Sequence, residues 1–134
     1  MKPDAAKREV EELRQRGTII DLVDLNGQCY ALTAVEAAVP PWDSETYEVA
    51  IAVPAAYDNA GLDGFYLRLP YKWNDKDHPR VNGSVIDIKS AQWKLVSWHY
   101  ADGKSWKRGQ DCLETHIIHC KGFFMHRGAR NDYR

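Results

Sequence analysis

A chain of 134 residues with 44% hydrophobic and 28% charged side chains can bury one substantial core. Its 18 basic and 19 acidic residues leave a formal charge of -1, so no broad basic surface points to a nucleic-acid partner. No apolar run approaches a membrane span, and the N-terminal MKPDAAKREVEELRQRG lacks the apolar centre of a signal peptide. The expectation is a single domain, residues 1–134, in the cytoplasm, with no membrane partner and no resident metal or cofactor. The three cysteines, Cys29, Cys112 and Cys120, are odd in number and lack framework spacing, which also favours a reducing compartment.

In chain order, Asp4 to Arg16 is predicted as a helix. Asp4 is placed to cap it, Ala6, Val10 and Leu13 form its apolar stripe, and Glu12 and Arg16 are spaced as an i,i+4 ion pair. Gly17 is the expected stop. Thr18–Leu25 (TIIDLVDL) reads as a strand, Asn26-Gly27 as a tight hairpin turn, and Gln28–Val39 as the return strand. Thr46–Val53 and Phe65–Leu69 are two further strands, separated by Pro54 and a turn-rich loop. Short connections predict a four-stranded antiparallel meander with helices at the two ends of the sequence, an α+β arrangement.

From Tyr71 to Ala91 the chain is polar. It contains His78-Pro79-Arg80, an Asn82-Gly83 turn and a short candidate strand, Ser84–Ile88. Trp93–Tyr100 reads as an extended run. Asp111 is placed to cap a last helix with Leu113, Ile117, Cys120 and Phe124 inward. The residues from His126 onward are expected to fray.

Gln92–Leu113 (QWKLVSWHYADGKSWKRGQDCL) concentrates the candidate chemistry. It holds Trp93, Trp98 and Trp106, the pair Ser97 and His99, and Cys112. In an extended segment residues two apart share a face, so the Ser97 hydroxyl and the His99 imidazole point the same way. A serine nucleophile needs a base, and an imidazole can be one. Cys112 is the thiol alternative, because a helix N-terminus favours a thiolate. Cys112, His116 and Cys120 recur every four residues with His119 nearby. Thiolate and imidazole are zinc ligands, but structural zinc draws on separated segments, so a buried helix face is expected instead.

The ordered set of elements resembles the ubiquitin-conjugating (E2, UBC) fold. Val49–Leu67 (VAIAVPAAYDNAGLDGFYL) is similar to that family's proline-ended strand and the loop after it, with Pro54, Tyr57, Asp63 and Phe65 in matching positions. Ser105–Ile117 (SWKRGQDCLETHI) is similar to its Trp-anchored elbow leading into a helix. The Ser-x-His, the elbow and Thr115-His116 resemble the bacterial E2-like proteins of family E. These occur alongside activating-enzyme-like, ubiquitin-like and JAB-peptidase partners. The resemblance implies an acyl carrier that accepts a ubiquitin-like C-terminus from an E1-like enzyme and passes it to a protein target.

Standard members carry a cysteine shortly before the elbow. Here none lies between Gln92 and Trp106, and Ser97 is nearest by position. By this resemblance Ser97 accepts the acyl group as an oxyester with His99 beside it. His78-Pro79-Arg80 stands where the family has His-Pro-Asn, so Arg80, or the nearby Asn82, is the candidate oxyanion donor. The competing expectation is a catalytically inactive fold that holds the E1-like enzyme or the ubiquitin-like protein in place.

Overall fold

The computed structural model describes residues 2–37, 40–99 and 106–125. The first helix, α1, spans Asp4–Gln15 and buries Ala6, Val10 and Leu13, the three residues of the expected stripe. Two local details differ from expectation. The N-cap is Pro3 with no side-chain bond, so Asp4 acts as a first-turn charge and pairs with Lys7 at 3.2 Å. Arg16 does not stay on its own helix. Its guanidinium reaches both carboxylate oxygens of Glu114, at 3.0 and 3.2 Å. Gly17 ends the helix at φ +93°, with Thr18 N–H donating to the Leu13 carbonyl and Gly17 N–H to that of Arg14. This is a Schellman closure, which requires the left-handed backbone that glycine adopts freely.

Among the described residues six strands follow: β1 (Ile20–Leu25), β2 (Gln28–Glu36), β3 (Thr46–Val53), β4 (Phe65–Arg68), β5 (Val81–Ile88) and β6 (Ala91–Val96). Asn26 and Gly27 turn β1 into β2 with φ of +52° and +82°, as a type I′ hairpin requires. All pairings are antiparallel and the order is β1-β2-β3-β4-β6-β5. The meander is therefore extended: the first four strands lie in chain order, and the β5–β6 hairpin adds two more through β6. Asn82-Gly83, read as a turn, lies inside β5 at a register shift between Val81 and Val85. A Cβ on Gly83 would meet Leu95 Cβ at 2.6 Å, so glycine is what lets the bulge close onto β6.

The last helix, α2 (Leu113–Met125), packs with α1 on one face of the sheet. Its inward residues are Leu113, His116, Cys120, Phe123 and Phe124; Ile117, expected inside, is only half-buried. Phe123 and Phe124 enter an aromatic cluster with Trp42, Tyr47 and Phe65, all with ring centroids 5.0 to 5.8 Å from one of them. The opposite sheet face has a smaller apolar cluster of Ala50, Ile88 and Trp93. No described helix is long and apolar enough to cross a membrane.

Candidate functional site

The site forms where three neighbouring strands end together. On β6, Val96 is paired with Phe65 of β4 on one side and with Val81 of β5 on the other. The next residue, Ser97, therefore emerges between the segment before β4 and the segment before β5. The ladder stops at Val96, so β6 is shorter than the predicted Trp93–Tyr100 run. Trp98 turns inward, 5% exposed, and its indole N–H donates to the His119 carbonyl at 2.8 Å. Burying that ring fixes its two neighbours toward the outside. Ser97 is half-buried and His99 is exposed. Tyr100 and the Ala-Asp-Gly-Lys turn lie outside the described residues.

On the β5 side, Ser97 is fastened to the His-Pro-Arg turn. Its N–H donates to the Arg80 carbonyl at 2.7 Å, and Arg80 Nη1 donates to the Ser97 carbonyl at 3.4 Å. The turn is itself tied to the core through His78. That imidazole is 2% exposed and stacks on Trp42 at 5.6 Å with 5° between the planes. His78 Nδ1 accepts from the Arg80 N–H at 3.0 Å, while the His78 N–H donates to the Tyr71 hydroxyl oxygen at 2.9 Å. His78 thus shapes the turn from inside, and Arg80 carries a guanidinium to the Ser97 backbone. Asn82, two residues on, is exposed on β5.

On the β4 side, His99 Nδ1 lies 3.2 Å from Asp63 Oδ1, with both side chains more than half exposed. A carboxylate accepts in such a pair, which favours the hydrogen on Nδ1. Among the described residues, no hydrogen bond joins the Ser97 hydroxyl to the His99 ring.

Cys112 belongs to a different group of contacts. It immediately precedes α2, with its N–H donating to Thr115 Oγ1 at 2.8 Å and Thr115 Oγ1 donating back to the Cys112 carbonyl at 3.0 Å. Asp111 does not cap α2. Its carboxylate accepts from Lys107 N–H at 2.7 Å and closes the preceding turn. The cap comes from α1, where Glu9 Oε1 accepts from Leu113 N–H at 2.8 Å and from the Tyr57 hydroxyl at 2.7 Å. The α2 inner face is closed to solvent chemistry. Burial pushes the Cys120 thiol well up and the His116 imidazole down, and it takes His119 down to about 4. His116 Nε2–H donates to the Gly64 carbonyl at 2.8 Å. Among the described residues no group of three or more His, Cys, Asp or Glu side chains is placed to hold a metal ion.

Residues 6–125 match the family model of prokaryotic E2 family E. The chain belongs to this family. No curated protein and no solved structure matches it. Membership supports an E2-like role in ubiquitin-like conjugation, with protein partners such as an E1-like enzyme and a ubiquitin-like protein. In this family E chain the set Ser97, Arg80 and His78 is brought together, His99 stands beside it, and Cys112 is anchored elsewhere. Two polar residues have roles that their local sequence does not announce. Asp63 was legible only as part of the loop after Pro54, with nothing to say that β4–β6 pairing delivers it to His99. Glu9 looked like one more charge on a solvated helix.

Proposed function

We propose that this family E chain is an E2-like acyl carrier, acting as one unit, in which Ser97 takes up the C-terminus of a ubiquitin-like protein as an oxyester. The observation that carries the reading is the placement of Ser97. It is half-buried at the common end of β4, β5 and β6, is held through its backbone by Arg80, and has the exposed imidazole of His99 two residues away. In the step, the modifier's terminal carbonyl carbon arrives as a thioester of the E1-like enzyme. A bond forms from Ser97 Oγ to that carbon and the carbon–sulfur bond breaks. The hydroxyl proton passes to His99 and then to the departing thiolate, so atoms and charge balance. Arg80, from the His-Pro-Arg turn and within reach of the Ser97 carbonyl, is the candidate donor to the forming oxyanion, with Asn82 the alternative. The acyl group is then handed to a nucleophile on a protein target.

The test uses a Gly-Gly peptide thioester on protein whose thiols have been blocked with methyl methanethiosulfonate, read by intact mass. Wild-type protein is expected to gain a hydroxylamine-labile acyl mass, and Ser97→Ala to lose it by roughly a hundredfold or more, the scale of removing an activated nucleophile. An adduct that survives Ser97→Ala removes the reading. One that forms only with free thiols moves it to Cys112.

The second reading, a non-catalytic module that holds the E1-like enzyme or the modifier, draws on one observation. Ser97 and His99 share no hydrogen bond, so the hydroxyl is not activated in the unliganded chain. Wild-type protein that stays unacylated supports that reading.

A further inference from the structure

Asp63 lies on the short 61–64 segment before β4, which is held at successive points. Gly61 lies under the indole of Trp106 so closely that a Cβ there would come within 2.2 Å of Trp106 Cγ. Leu62 is 2% exposed. The Gly64 carbonyl accepts from the buried His116 Nε2–H at 2.8 Å, and Gly64 itself takes φ +61°. The backbone on both sides of Asp63 is thus fixed by buried contacts, while its carboxylate points out to His99 Nδ1 at 3.2 Å. A carboxylate on a backbone held in this way, beside a ring three residues past the end of β6, does more than pair charges. It selects one of the two neutral tautomers, because only Nδ1–H can donate to it. The other nitrogen, Nε2, is left with its lone pair.

We propose that Asp63 is the positioning residue for His99, setting the ring so that Nε2 is the base. The proposal rests on the Ser97 reading. During acylation the proton leaving Ser97 Oγ is taken by Nε2 and passed to the thiolate released from the carbonyl carbon. Asp63 stays ionised throughout and stabilises the imidazolium between those two moments. It touches neither the acyl group nor the nucleophile.

The experiment compares wild type, Asp63→Asn and Asp63→Glu by nitrogen-15 NMR of the imidazoles and by acylation with the Gly-Gly peptide thioester. In wild type the His99 ring is expected as a single Nδ1–H tautomer. In Asp63→Asn, whose amide can donate or accept, it becomes a mixture. The acylation kcat falls about fivefold with KM unchanged, the scale of an exposed ion pair, and Asp63→Glu recovers most of it. Identical His99 nitrogen shifts in wild type and Asp63→Asn overturn the proposal. So does a changed tautomer with an unchanged rate. Wild-type protein that is not acylated at all sinks the Ser97 reading and the task assigned to Asp63 with it. The nitrogen spectrum then still shows separately whether Asp63 holds the ring.

Discussion

The inner face of α2 and the segment after β6 carry the same kinds of group and end with opposite properties. Helix α2 presents His116, His119 and Cys120; the segment presents Ser97 and His99. His116 and Cys120 are fully buried, whereas His99 is exposed and Ser97 half-buried. On α2 the loss of water disfavours every charged form, so the imidazoles resist protonation and the thiol resists ionisation. These are packing groups with polar atoms. At the end of β6 the surrounding backbone is fixed but water reaches the side chains. The difference teaches that reactive residue types mark a site only where the fold leaves them reachable.

The largest effect that sharpens this contrast falls on the buried side. His116→Ala removes a filled core position and leaves the Gly64 carbonyl without its donor. We expect a loss of roughly 2–4 kcal/mol in chemical denaturation, combining a cavity with an unmade hydrogen bond. A loss below about 1 kcal/mol would mean that His116 is no packing group.

Next comes the contact between Gly61 and the Trp106 indole. Gly61→Ala places a methyl against Trp106 Cγ at 2.2 Å, and the indole must move. An expected cost of about 1–3 kcal/mol should accompany a shift in Trp fluorescence. Native-like fluorescence together with unchanged stability would show that the elbow is not held as described.

A more gradual effect, spread over more than two pH units and discounted because His119 is only half-buried, is on the pH dependence of stability. Burial lowers His119 from its usual 6.5 to about 4, so below pH 6.5 the unfolded chain binds a proton that the native chain refuses. Its contribution is fully present above pH 6.5 and is lost as the pH falls toward 4. His119→Gln should flatten that part of the stability curve, measured by urea midpoints at pH 7, 5.5 and 4. An equally steep curve in the variant would place the proton uptake elsewhere.

Much of the scaffold could be read from local pattern. The α1 stripe of Ala6, Val10 and Leu13, the Gly17 stop, the Asn26-Gly27 turn and the bounds of β3 depend on spacing and on backbone preferences that a few neighbouring residues carry. Local pattern fails where a distant partner competes with local preference. Asp111 has the chemistry of a helix cap, but Glu9, far away in sequence, supplies the bond to Leu113 N–H. Asn82-Gly83 has the chemistry of a turn, but β6 pulls it into a strand, and the missing Cβ is used for contact with Leu95. His116, not Ile117, fills the core, because only the folded chain offers its ring nitrogen the Gly64 carbonyl.

Taken alone, the order of residues determined the helices at the two ends, the hairpin, the antiparallel sheet and the candidate pair Ser97 and His99. Each of these is written in periodicity or in a short run of side chains. The tertiary structure alone decided that β6 lies between β4 and β5. That placement sets Ser97 against Arg80 on one flank and brings Asp63 to His99 on the other. The physical reason is that strand pairing across long separations depends on which apolar faces can be buried together, and no local stretch of sequence encodes that choice.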